Sequence, residues 1–347
     1  MNAQVFSPDA LRGVSLGGHI LAHDVEYTIG GQRTRLRKGR RLTDADRPDL
    51  LAANRTIHLL AMEPGDVHEE DAARRLAVAV AGDGIIIGDP HESMITLRAT
   101  HRGLLAVDVP RLLAINSVPD MSVWTRFDAQ IVRERQAVAG VKVTPLVTDE
   151  TSLREAEAIA HRDGSVLTVL PFVPQRVGVL VREDLLPAAG ERFRESLLHK
   201  VTWFGSAVGA LIHPENSVAS VADAFAELMR TGSTMILCAG VTSTDPLDLT
   251  VQALDALGAR WEKRGVPAHP GSTYWLAYIG DIPVLGMASC GMFSRATVLD
   301  LILPRFFAGQ RVDARMLAAL GHGGLLNKEM AFRFPDYASG EIASTEE

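Results

Sequence analysis

Cysteine is almost absent from this chain of 347 residues, and the two present, Cys238 and Cys290, are too few for a disulfide framework or a four-ligand zinc site. An excess of positive charge is missing too. Lys+Arg number 35 against 42 Asp+Glu, a net charge of −7, which favours solubility and argues against a nucleic-acid or anionic-membrane footprint. The densest basic run, Arg33 to Arg41, is short and reads as a solvated loop or a small anion patch. No apolar stretch approaches the roughly 20 residues of a membrane span. The N-terminus, MNAQVFSPDALRG, lacks the charged-then-apolar layout of a signal peptide. No internal repeat or low-complexity segment stands out. These absences leave a cytoplasmic enzyme or binding protein as the expectation.

What is present is an ordinary globular composition, 47% hydrophobic and 22% charged, on a chain long enough for two domains. The first half reads as short strands with few helices. Thr56 to Met62 is a compact apolar run of strand length. A Pro-Gly turn then leads to a helix that Asp66 is expected to cap, with His68-Glu69-Glu70-Asp71 in its first turn and Ala72, Leu76, Ala77 and Val80 as its apolar stripe. From Ile85 to Val147 the pattern is strand-like, and Thr151 to His161 is helical. After Gly164 the rhythm becomes an alternation of apolar strands and helices. Arg176 to Val181 and Thr234 to Ala239 read as strands, Glu191 to Val208, Val218 to Arg230 and Ala296 to Phe307 as helices, and Tyr274 to Gly286 as a hairpin. The expected fold is therefore α/β. Residues 1–164 form a smaller β-rich mixed domain, residues 165–330 a three-layer α/β/α domain with a mostly parallel sheet, and residues 331–347 a tail.

Three loops of the second half carry candidate chemistry. Ala239-Gly240-Val241-Thr242-Ser243-Thr244-Asp245-Pro246-Leu247-Asp248 joins a buried strand to a helix, the place where open α/β sheets bind ligands. Gly240 permits close backbone approach, and the hydroxyls of Thr242, Ser243 and Thr244 suit a phosphate. Asp245 and Asp248 suit a hard cation such as magnesium. Capping is the plain alternative for Asp248, as a turn is for Thr-Asp-Pro. His269-Pro270-Gly271-Ser272 is a tight turn able to approach a ligand, although a simple Pro-Gly turn explains it as well. Met287-Ala288-Ser289-Cys290-Gly291 again joins strand to helix, but its glycine spacing is wrong for a nucleophile elbow. Cys290 reads more readily as a small buried thiol than as a reactive one. The pair His19 and His23 and the run His68-Glu69-Glu70 lack a third convergent metal ligand. Gly321-His322-Gly323-Gly324 lacks the Lys and spacing of a P-loop and reads as a linker.

In order along the chain, these loops make residues from about Arg176 to Leu326 resemble the molybdopterin-binding domain shared by molybdopterin adenylyltransferases, molybdopterin molybdotransferases and the gephyrin C-terminal region. The family's Gly-Gly-x-Ser/Thr loop with a following Asp is similar to 239–248. Its Lys-Pro-Gly-Lys-Pro turn is similar to His269-Pro270-Gly271-Ser272, and its Leu-Pro-Gly-Asn-Pro loop stands where Met287 to Gly291 stand here. Its Thr-Gly-Asp-Glu-Leu resembles Val181-Arg182-Glu183-Asp184-Leu185. Gly18 to Val25 resembles the opening of the molybdotransferases. The departures are Ala239 for the first glycine, the loss of both turn lysines and the loss of Leu-Pro-Gly-Asn-Pro. Lys263 or Arg264 is a candidate substitute for the lost lysines.

The resemblance implies a cofactor-assembly protein that binds molybdopterin or its adenylated form, with a pterin phosphate as ligand and magnesium as cofactor. Asp245 and Asp248, with Glu183 or Asp184, would hold the metal and align a phosphoanhydride. Gly240, Thr242–Thr244, His269–Ser272 and Ser289–Gly291 would cradle phosphate and pterin. Adenylation and molybdate insertion stay open between each other, the N-terminal opening leaning towards insertion. A non-catalytic carrier delivering cofactor to a molybdoenzyme or another assembly protein is the alternative, and the missing lysines favour it. A hydrolase of the nucleotide-amide type is a third reading. Homodimerisation, with neither nucleic acid nor membrane as partner, completes the expectation.

Overall fold

Near-continuous apolar runs become buried strands, and in the C-terminal part they assemble a single mixed sheet. The computed structural model describes residues 1–91, 93–183, 186–241, 244–287, 296–335 and 337. The chain divides into two units. The first comprises Met1–Thr100, Ala106–Asp128 and Glu134–Val169, and the second comprises His101–Leu105, Ala129–Arg133 and the chain from Leu170 onward.

The second unit is built around a six-stranded sheet: β1 (Arg176–Val181), β2 (Ala207–Ile212), β3 (Met235–Ala239), β4 (Arg260–Arg264), β5 (Trp275–Ile279) and β6 (Ile282–Gly286). Their order across the sheet is β2-β1-β3-β6-β5-β4. The pairings β1–β2, β1–β3 and β3–β6 are parallel, whereas β6–β5 and β5–β4 are antiparallel, so β5 alone runs against the others. Among the described residues its α-helices are α1 (Pro187–Trp203), α2 (Val218–Arg230), α3 (Leu249–Ala256), α4 (Val298–Phe307) and α5 (Ala314–Ala319).

Strand alternation sends side chains to opposite faces. Val177, Val179, Leu237 and Leu285 pack with Phe193, Leu197 and Ile302 from α1 and α4. Leu180, Ile236, Cys238 and Val284 pack with Val221, Phe225 and Leu254 from α2 and α3. Both faces of the sheet are thus covered by helices, which is why β1 and β3 read as unbroken apolar runs.

The first unit is built from short antiparallel pieces. Asn2–Phe6, Ile57–Ala61 and His19–Leu21 form one three-stranded sheet, with Ile57–Ala61 in the middle. Val25–Ile29 and Gln32–Leu36 form a hairpin whose turn residues Gly30 and Gly31 both have positive φ. Met121–Thr125, Ala137–Val143, Met94–Ala99 and Ile85–Ile87 form a four-stranded antiparallel sheet. The helix Glu69–Val80 packs against that sheet and against the helix Glu150–Ala160.

Several elements differ from the sequence reading. The helix at 69–80 is capped by the His68 ring, while Asp66 belongs to a short strand paired with 147–149 and accepts from the Glu63 backbone. The stretch from Ile85 to Val147 holds a helix, Val109–Asn116, capped by Asp108 and started by a proline at its first turn. The helix expected over Glu191 to Val208 begins instead at Pro187 and ends at Trp203, because Gly205 (φ +71°) turns the chain into β2. Among the described residues no helix is long and apolar enough to cross a membrane.

Candidate functional site

Because β1, β2, β3, β4 and β6 point the same way, the segments after Val181, Ile212, Ala239, Arg264 and Gly286 all leave the sheet at one edge, its carboxyl edge. The segments singled out in the sequence are among them.

The segment after β3 is held closely to that after β1. Gly240 has φ +75°, and a Cβ there would lie 2.5 Å from Glu183 Cβ and from its backbone nitrogen. Glycine is therefore required twice, for its dihedral and for the approach. The Arg182 amide donates to the Ala239 carbonyl at 3.0 Å, extending the β1–β3 ladder by one rung. Thr244 and Asp245 are exposed, and Asp245 Oδ1 accepts from the Leu247 amide at 2.8 Å, closing a turn on itself.

Asp248 is a helix cap. Its Oδ1 accepts from the Thr250 amide at 2.8 Å and from Arg182 Nη1 at 3.1 Å, and both charged side chains are nearly buried. Arg182 Nη2 also donates to Asn216 Oδ1 at 2.9 Å. One guanidinium at the end of β1 thus ties the approach to α2 to the start of α3.

The 265–274 segment is a tightly bonded turn. His269 and Pro270 are joined by a cis peptide bond, and the Val298 amide at the start of α4 donates to the Pro270 carbonyl at 3.1 Å. The His269 amide donates to the Gly324 carbonyl at 2.7 Å, and its carbonyl accepts from the Leu326 amide at 2.8 Å. Gly271 (φ +110°) is buried, and a Cβ there would meet Val298 at 3.1 Å. The imidazole of His269 and the hydroxyl of Ser272 belong to exposed residues. Thr242, Ser243, Asp184, Ser289, Cys290 and Gly291 lie outside the described residues. Cys238, on β3, is wholly buried, and burial followed by the nearby Asp248 carboxylate pushes its thiol well above its ordinary range.

A cleft of about 570 Å³ opens at the same edge, beside β1 and β2. Its lining includes Glu183, Leu186, Gly190, Glu191, Arg194 and His213. Of these only Glu183 was singled out in the sequence. Helix α1 begins on this cleft with Pro187 at its start, no side-chain cap and no acidic residue in its first turn. The Ala189 and Gly190 amides both donate to the Leu186 carbonyl, so the pull on an anion there comes from the positive end of the helix dipole and from Arg194 and His213, against Glu183 and Glu191 in the same lining. The sequence reading singled out neither Arg194, which it placed inside a helix, nor His213, which follows a strand it did not assign, because neither belongs to a local motif and only the packing of α1 beside β1 and β2 brings them to one cleft. Asp248 is engaged by Arg182 and Thr250, and among the described residues no three His, Cys, Asp or Glu side chains group as metal ligands.

No protein-family model matches the chain, and no curated protein sequence does. Among solved structures, a molybdopterin biosynthesis moea protein from Pyrococcus horikosii aligns over 91% of this chain and 75% of its own, at 12% identity and a TM-score of 0.31. A TM-score of 0.31 does not by itself establish a shared fold.

Proposed function

We propose that the C-terminal unit binds molybdopterin or its adenylated form at the carboxyl edge of its sheet, in the service of molybdenum-cofactor assembly. The observation that carries this reading is the convergence on one sheet edge of the segments that resemble the molybdopterin-binding family, next to a cleft of about 570 Å³. A volume of that size suits a small phosphorylated ligand. The uncapped start of α1, with Arg194 and His213, takes the phosphate, and the Gly240 backbone and Thr244 hydroxyl contact the ligand beside it. Among the described residues, Glu183 and Asp245 offer exposed carboxylates to a divalent cation, which would draw its remaining ligands from the phosphate and water.

A non-catalytic carrier is the second reading. It is favoured by the engagement of Asp248 as a helix cap and ion-pair partner, and by the missing lysines of the 269–272 turn. The test is binding of molybdopterin and its adenylated form, with and without magnesium, to the wild type, Arg194→Ala and Asp245→Ala. Binding lost in Arg194→Ala supports the site. A magnesium-dependent reaction lost in Asp245→Ala supports the enzyme, and tight binding without turnover supports the carrier. Failure of the wild type to bind either pterin overturns both.

A further inference from the structure

The densest run of positive charge lies in the first unit. Residues 33–41 carry six cations and no acid in a chain whose net charge is −7. The structure shows that this run is not a free loop. The Gly39 amide donates to the Leu21 carbonyl at 2.8 Å, the Leu21 amide to the Arg40 carbonyl at 3.0 Å, and the Lys38 amide to Asp24 Oδ1 at 2.8 Å. His68 Nδ1 accepts from the Glu70 amide, so Nε2 carries the proton and donates to the Gly39 carbonyl at 2.7 Å. The cations project from a fixed backbone, which lowers the ordering cost of binding.

Arg35, Arg37, Lys38, Arg40 and Arg41 line a cleft of about 650 Å³. Three carboxylates, Asp24, Glu69 and Glu70, share the lining. Arg35 pairs with Asp24 at 3.1 Å and Arg40 with Asp46 at 2.7 Å, while Arg41 pairs with Asp71 where both side chains are more than half exposed. That last pair is worth little in water and exchanges readily for a better anion.

Glu69 points to the other half of the ligand. Its residue is 3% exposed and lines the cleft, and among the described residues no hydrogen bond reaches its carboxylate, whose oxygens open to the cleft rather than lying fully buried. Its Oε1 stands 2.5 Å from where a Cβ at position 39 would be, a place left open by Gly39 (φ +78°). A carboxylate that faces the cleft without a protein donor is open to a donor supplied by a ligand.

We propose that this cleft binds a small phosphate ester bearing a hydroxyl or amino donor, its phosphate against the basic segment 35–41 and its donor on Glu69. The bounded volume and the acidic balance of the chain favour a small molecule over an extended nucleic acid. The proposal goes beyond the pterin site and does not depend on it.

The test is calorimetric titration of the full chain with inorganic phosphate, ribose 5-phosphate, ribose and a single-stranded oligonucleotide. Ribose 5-phosphate is expected to bind best, inorganic phosphate more weakly and ribose not at all, with affinity falling as salt rises. Lys38→Gln combined with Arg41→Gln, both exposed, should weaken the two phosphate ligands by about tenfold or more. Glu69→Gln should weaken ribose 5-phosphate and leave inorganic phosphate unchanged. Absence of phosphate binding, equal binding by the Lys38/Arg41 variant, or no preference for ribose 5-phosphate over phosphate overturns the proposal. So does binding of the oligonucleotide alone.

Discussion

Lys200 Nζ donates to Asp300 Oδ1 across 2.7 Å, with 3% and 0% of the two side chains exposed. The pair joins α1, which opens on the candidate cleft, to α4, which follows the last of the sheet-edge segments. Asp300 is satisfied on several sides: Oδ2 accepts from the Thr297 amide and hydroxyl in a capping box, and Oδ1 also accepts from the Tyr337 hydroxyl at 3.0 Å. Burial, then Asp300, push that phenol well above its ordinary range.

Lys200→Met removes one charge of this buried pair and leaves the other without its main compensation. A loss of about 3–5 kcal/mol is expected. Urea denaturation of Lys200→Met, Asp300→Leu and the double variant checks it. The double variant should lose clearly less than the sum of the singles, and simple additivity would show that the two side chains act independently.

Asp248→Ala removes both the α3 cap and the partner of a nearly buried Arg182. The lost cap alone costs about 1 kcal/mol, and the stranded guanidinium adds to that. Asp248→Asn keeps a capping oxygen and should recover part of the loss in a thermal melt. If the two variants melt alike, the charge contributes nothing at this position.

Gly240→Ala meets both a left-handed dihedral and the Glu183 backbone. Gly164→Ala is its control, since Gly164 has φ +88° but open space around it. The strain shared by both is about 1–2 kcal/mol. Gly240→Ala should melt lower than Gly164→Ala and should also weaken pterin binding, whereas equal melting would mean that the close approach to Glu183 relaxes at no cost.

Glu150 sets an acid limit on the first unit. Its hydrogen bonds from Arg75, and then from Arg154, hold its carboxyl down at about 2, against an ordinary value of 4.5. Arg75 also pairs with Glu157 at 2.7 Å. A depressed carboxyl stabilises the fold fully above its unfolded value, and that contribution drains away as pH falls from 4.5 towards 2. Urea midpoints measured across that window should fall with pH in the wild type and fall less in Arg75→Gln. Identical slopes would remove Glu150 as a source of the acid sensitivity.

Much of the secondary structure of the second unit was legible because local signals agreed. Val218–Arg230 has a serine cap, an apolar stripe of helical period and a glycine stop, and it forms with those bounds. Arg176–Val181 is an apolar run of strand length and forms as read. The strand Ala207–Ile212 was missed because apolar residues continue through Trp203 and Phe204, hiding the break at Gly205. Arg260–Arg264, a run of charged residues around one tryptophan, has no strand signature of its own. Its pairing with Trp275–Ile279 at the sheet edge is what makes it a strand.

By itself the sequence determined where the buried strands and amphipathic helices of the second unit run, which loops carry glycine and acidic residues, and that Asp248 was a candidate cap. Periodicity, capping and glycine dihedrals act over a few residues, so a linear reading captures them. Only the tertiary structure decided that Arg182 reaches Asp248 across 66 positions, that Lys200 reaches Asp300 across 100, and that the basic segment 33–41 is fixed around a cleft with Glu69. Those relationships arise from strand order and helix packing, which bring distant residues within hydrogen-bonding range. Their energy comes from exclusion of water, and a side chain's burial exists only once the whole fold has formed.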